Sequence, residues 1–208
     1  MTDTLIIVGT DSLAPYPKAP IDSGFAAAVF PCADWNRDLS PWPAQKVFRK
    51  GEDFAGGASE YLDRLLGFSK SWEDSLSCPI RRRYLAGYSL AGLFCLWALT
   101  NTDRFDGAAS ASGSLWYPGW TDYAKSHPPL KADARISLSL GDQEAHTRNP
   151  LMAAVADCTL ACEHLYRTQG AYVTFRWNPG NHFQDTEART WEAAMRLLNT
   201  EPSTEPSL

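Results

Sequence analysis

The 208-residue sequence predicts an α/β fold, a mostly parallel sheet with helices on both faces. Three observations predict it. Short apolar runs recur along the chain, and helix-patterned stretches separate them. One run, YLAGYSLAGLFCLWAL (84–99), passes from strand-like to helix-like sequence with a serine at the change. Strands buried on both faces read as near-continuous apolar segments, and parallel pairing requires helical crossovers between them.

The predicted strands are TLIIVG (4–9), FAAAVF (25–30), YLAG (84–87), DGAASAS (106–112), ISLSL (136–140) and YVTFRW (172–177), each ending at or just before Gly, Pro, Asn or Ser. The first helical pattern carries Tyr61, Leu62, Leu65 and Leu66. The second, 90–101, is apolar nearly all round and therefore central. The third, 150–168, places Leu151, Val155, Cys158, Cys162 and Leu165 on one face, so both cysteines read as core. The last carries Trp191, Met195 and Leu198. Segment 11–24, DSLAPYPKAPIDSG, reads as a proline-rich loop, and the tail EPSTEPSL (201–208) as frayed. The length suits one domain, 1–200.

A net charge of −5 without a basic patch argues against nucleic acid or an anionic membrane as partner. The one dense cationic run, Arg81-Arg82-Arg83, reads as a solvated strand entrance. MTDTLIIVGT lacks the basic start of an export signal, and no window approaches the about 18 apolar residues of a membrane span. Five cysteines without a repeated CxxC spacing point to reduced thiols, hence a cytoplasmic protein with neither disulfides nor a metal site. Oligomeric state is left open.

Ligands of such sheets gather beyond the carboxyl ends of the strands. In GYSLAG, Ser89 stands where strand meets helix, with Gly87 and Ala91 two residues to either side. A turn that tight strains the apex residue and requires small neighbours, so Ser89 reads as an exposed nucleophile, with the Leu90 amide as oxyanion donor. The plainer role is a helix N-cap. A serine nucleophile needs a base, and of four histidines His182 in NPGNHF follows the last strand. His146 is its competitor, while His127 and His164 read as solvated or structural. Asp142 and Glu144 follow ISLSL, and the order serine, acid, histidine is that of an α/β-hydrolase arrangement.

Four stretches carry a family resemblance: NRDLSPWP (36–43), FAGGASEYLDRLL (54–66), GYSLAGLFCLWAL (87–99) and FDGAASASGSLWYPGW (105–120). From about Phe25 to Leu198 the chain resembles the α/β-hydrolase-fold esterases of the enterobactin-esterase-like group, a superfamily that also holds feruloyl esterases and acyltransferases. The resemblance implies a compact α/β-hydrolase fold without a large lid, a small-molecule ester substrate and no cofactor. It implies Ser89 as nucleophile, His182 as base and Glu144 as acid, with Asp142 the alternative. Arg37, Trp35 and Trp116 would bind substrate, with Asp38 lining or bracing the pocket. Arg37 and Asp38 paired with each other to stiffen their loop is the competing role. A second oxyanion amide falls at Thr10 or Asp11. Ala91 replaces the family's usual glycine, and GTDSLAPYP replaces its glycine-rich oxyanion loop. Acyl transfer, thioester cleavage, or a silent scaffold binding an aromatic ligand or protein stand as alternatives. Trp35, Trp42, Trp116 and Trp120 could form an aromatic rim.

Overall fold

A computed structural model describes residues 1–13, 24–47 and 51–199. Most of the loop expected over 11–24 and all of the tail 201–208 lie outside the described residues. β1 (Thr2–Val8) pairs in parallel with β2 (Phe25–Phe30) on one side and β5 (Ile80–Tyr88) on the other. β6 (Gly107–Ala111), β7 (Arg135–Gly141) and β8 (Tyr172–Asn178) continue the sheet, which runs β2-β1-β5-β6-β7-β8, parallel throughout. β3 (Pro43–Ala44) and β4 (Phe54–Ala55) make a separate two-stranded hairpin.

Strand alternation divides the core in two. One face turns Ile6, Val8, Leu85, Ile136 and Leu138 toward α2 (Ala58–Asp74), α3 (Leu90–Asn101), α4 (Trp120–Ser126) and α6 (Val155–Thr168). The other turns Leu5, Ile7, Tyr84, Ala86, Ala109 and Ala111 toward α7 (Thr186–Asn199). Helix α3 is buried from Leu90 to Thr100, as its all-round apolar sequence requires. Among the described residues no helix is long and apolar enough to cross a membrane.

One expectation needs correcting. The helix over 150–168 is two pieces, α5 (Pro150–Ala153) and α6, hinged at Ala154. Leu151 on the short α5 is exposed, while on α6 Cys158 is half-buried against the core and Cys162 is fully buried. In α7 the buried line is Ala193, Ala194 and Leu197, with Trp191, Met195 and Leu198 flanking it. Alanines on both surfaces let helix and sheet approach closely, and the large side chains fill the margins.

Candidate active site

All six strands of the main sheet deliver residues to one end. β1 leads to the Gly9–Thr10 turn and β2 to α1 (Trp35–Asp38). β5 leads to Ser89, β6 to Ser112–Ser114, β7 to Glu144 and β8 to His182.

Ser89 sits at φ 54 and ψ −120, a conformation an L-residue adopts only under constraint. Its side chain makes no capping hydrogen bond, so the N-cap role is absent. The constraint comes from both sides. Ser89 N donates to Ala111 O at 3.0 Å, and Ser89 O accepts from Leu93 N and Ser114 N. Gly87 has to be glycine because a Cβ there would lie 2.5 Å from the Ala91 carbonyl. Ala91 in turn fits against Gly9, whose φ of 79 turns the chain away beneath the Trp35 ring.

Thus held, Ser89 Oγ lies 3.1 Å from His182 Nε2, and His182 Nδ1 lies 2.7 Å from Glu144 Oε2. Glu144 is 8% exposed. Burial alone would raise its carboxyl, but hydrogen bonds from His182, from Ser112 Oγ at 2.6 Å and from Gly141 N at 2.7 Å outweigh it and hold the group below its ordinary value. An ionised carboxylate only accepts, so Nδ1 carries a proton and, in the neutral ring, the Nε2 lone pair faces the Ser89 hydroxyl. Leu90, first in α3, has an amide with no partner within its helix.

Residues that sequence reasoning passed over complete the frame. Ser114 Oγ is a second neighbour of Ser89 Oγ, at 3.2 Å. Ser112, at φ 46, is buried against Glu144. Tyr88 hydroxyl donates to His182 O at 2.6 Å. Arg189, 3% exposed, donates to Asn181 O and Pro179 O and lies 3.5 Å from Glu144 Oε1, so it ties the histidine loop to the acid. A signal existed for Arg189: it falls on the buried stripe of α7 with Ala193 and Leu197, and a charge on such a stripe needs partners.

The other candidates disperse. Asp142 turns away from the imidazole and accepts from Gly180 N at 2.8 Å, pinning the same loop. His146 is exposed, with Nδ1 2.8 Å from Gln143 Oε1. His127 is exposed and stacks on Tyr123, and His164 is exposed on α6. Arg37 does not line the hollows beside Ser89. Asp34 caps α1 and directs Arg37 to Glu60 on α2, while Trp35 and Asn36 face the site. Asp38 is buried and pairs with Arg64 at 3.1 Å rather than with Arg37. Trp42 and Trp120 pack together in the core, leaving Trp35 and Trp116 beside Ser89. Thr10 is half-buried and Asp11 exposed just beyond the Gly9 turn.

Two hollows flank the serine. One of about 120 Å³ is lined by Ser89, Leu90, Ser114, Phe54, Trp35 and Trp116. The other, about 310 Å³, lies toward His182, Phe183 and Met152 and leads into a third of about 450 Å³ that reaches His146.

This strand order, with an elbow serine after β5 and a histidine after β8, has the α/β-hydrolase fold. Solved structures share it: the siderophore hydrolase EstA from Aspergillus nidulans (TM-score 0.72, 19% identity, 95% of this chain and 82% of that one); an IroE-like serine hydrolase from Shewanella oneidensis (0.72, 15%, 92% and 69%); and the enterobactin esterase FES from Shigella flexneri (0.64, 16%, 94% and 52%). A curated relative, the uncharacterized protein YbbA of Bacillus subtilis (strain 168), is 24% identical over 120 residues, 55% of this chain. The match spans about half of that relative's length, 47%. No family model matches the sequence.

Proposed function

We propose that the protein is a serine hydrolase cleaving carboxylic esters through an acyl-enzyme, with Ser89 as nucleophile, His182 as base and Glu144 as the acid that orients it. The observation that carries the reading is the unbroken chain from Ser89 Oγ through His182 to a buried, ionised Glu144, at 3.1 and 2.7 Å. Ser89 Oγ attacks the carbonyl carbon as its proton passes to His182 Nε2. Charge gathers on the carbonyl oxygen near the Leu90 amide, with a second amide at Thr10 or Asp11. Glu144 stabilises the imidazolium, which then gives its proton to the departing alcohol oxygen. Water, deprotonated by the same imidazole, releases the acid. The siderophore hydrolases among the similar folds support an ester substrate of that general kind.

Because His182 hands its proton to the leaving oxygen, the alcohol belongs in the hollow that His182 lines, and the acyl group in the one beside Leu90. An apolar cavity of about 150 Å³ holds a single benzene ring. At about 120 Å³ the acyl side therefore favours short chains, while the alcohol side accepts a large group against Trp35 and Phe183. In a series of p-nitrophenyl esters, kcat/KM is expected to fall about tenfold or more between butyrate and decanoate. A profile rising with chain length would reverse the assignment of the two sides.

A fluorophosphonate probe tests the nucleophile. Covalent labelling of the wild-type chain, absent in Ser89→Ala, is the expected result; labelling that persists in the variant, or never occurs, refutes the reading. Acyl transfer to another alcohol or a thiol uses the same acyl-enzyme and would pass this test.

A further inference from the structure

At the opposite edge of the sheet, where the strands begin, lies a charge cluster that ester cleavage does not use. In the run Arg81-Arg82-Arg83 the outer two arginines have acidic partners. Arg81 donates to both oxygens of Asp3 at 2.8 Å, and Arg83 Nε reaches Glu73 at 2.8 Å, a carboxylate it shares with Arg104. Strand alternation turns Arg82 to the α7 face, the face of Tyr84.

On that face Arg82 borders the same hollow as Arg135. Among the described residues neither guanidinium has a carboxylate within ion-pair distance. Arg135 is 5% exposed, and its Nη2 is fully buried without a hydrogen-bond acceptor. The Tyr84 hydroxyl, buried beside Arg82, likewise lacks a hydrogen bond of normal geometry. Tyr84, Gly107, Arg135 and Tyr172 are register partners across β5, β6, β7 and β8, so they point to one face. Gly107 is glycine because the Arg135 backbone packs against it, a Cβ there lying 2.2 Å from Arg135 O.

The hollow measures about 80 Å³ and is lined by Arg82, Arg135, Tyr172, Asp106 and Asp133. Asp106 is engaged on both oxygens, by Lys131 Nζ at 2.6 Å and Arg83 N at 2.7 Å. Asp133 is exposed at the rim. A buried guanidinium without a counter-charge is strongly unfavourable, and its planar fork matches two oxygens of one anion.

We propose that this hollow binds one small tetrahedral oxyanion of phosphate or sulfate size, held by the accessible side of the Arg135 guanidinium and by Arg82, with Tyr172 beside it. The anion binds only the folded chain and so stabilises it.

Melting temperature is measured during a titration with inorganic phosphate, chloride keeping ionic strength constant. For the wild-type chain a rise of a few degrees, saturating at one ion per chain by calorimetry, is expected. Arg135→Met is expected to melt higher than wild type without phosphate, since it removes a buried unpaired charge, and to lose the phosphate increment. Arg82→Gln keeps the fold and weakens phosphate about tenfold. Asp133→Asn, which removes a repelling carboxylate, tightens it. Absence of a phosphate-specific rise, or an equal rise in Arg135→Met, overturns the proposal. So do equal losses of melting temperature in Arg135→Met and Asp133→Asn, which would make Asp133 the internal partner of Arg135. Ester turnover by Arg82→Gln stays at the wild-type level, so this result and that of the hydrolase reading are independent.

Discussion

His182→Ala is expected to lower kcat/KM for p-nitrophenyl acetate by about ten-thousandfold or more. p-Nitrophenolate departs without needing a proton, so the loss reports the imidazole as base toward Ser89 rather than as acid toward the leaving group. The fold should survive, because His182 is half-exposed and its loop is held by Arg189, Asp142 and Gln184, none of which bonds to the ring. His146→Ala is expected to stay within about threefold of wild type, since its ring is exposed in the outer hollow and bonds only Gln143. Comparable losses in both variants, or the larger loss at His146, would overturn the choice of base.

Glu144→Gln should cost between about a hundredfold and ten-thousandfold in kcat, with KM little changed. The amide cannot match three donors converging on the carboxylate, from His182, Ser112 and Gly141, and it offers no charge to the imidazolium. An unchanged kcat would mean that Ser89 and His182 suffice. The same substitution has a signature in stability. The folded-state pKa of Glu144 lies below its unfolded value, so the folded state binds this proton less readily than the unfolded chain. Its stabilisation is complete above the unfolded carboxylate pKa, about 4.3, and is lost as pH falls through the depressed folded value. Acid melts of wild type should therefore steepen below about pH 4 relative to Glu144→Gln. Parallel curves would show that the carboxylate is not held ionised.

Most of the secondary structure was legible because strands and helices advertise themselves locally. Apolar runs marked all six strands of the main sheet, and the greasy stretch after Ser89 marked a helix with no exposed side. Local signals are weaker guides where they compete. The 150–168 pattern reads as continuous because its apolar spacing survives the break at Ala154, where no capping side chain marks the new start. The large residues of α7 drew attention from the alanines that touch the sheet. The motif does not encode the partner of the Arg37 side chain, which pairs with Glu60 on α2.

The candidate site divides in the same way. Ser89 was legible from Gly87 and Ala91, because steric room at an elbow is set within five residues of chain. By itself the sequence determined the six strands of the main sheet, the long helices between them and the demand for small residues at that turn. Only tertiary structure decided which carboxylate meets the imidazole. Asp142 and Glu144 share one loop and one charge, and the β7 and β8 loops must pack before Gly180 draws off the first and Ser112 and Gly141 converge on the second. Ser112, Ser114, Tyr88 and Arg189 were likewise recruited from separate strands, loops and helices. Their roles depend on distances between segments far apart in sequence, which no local pattern encodes.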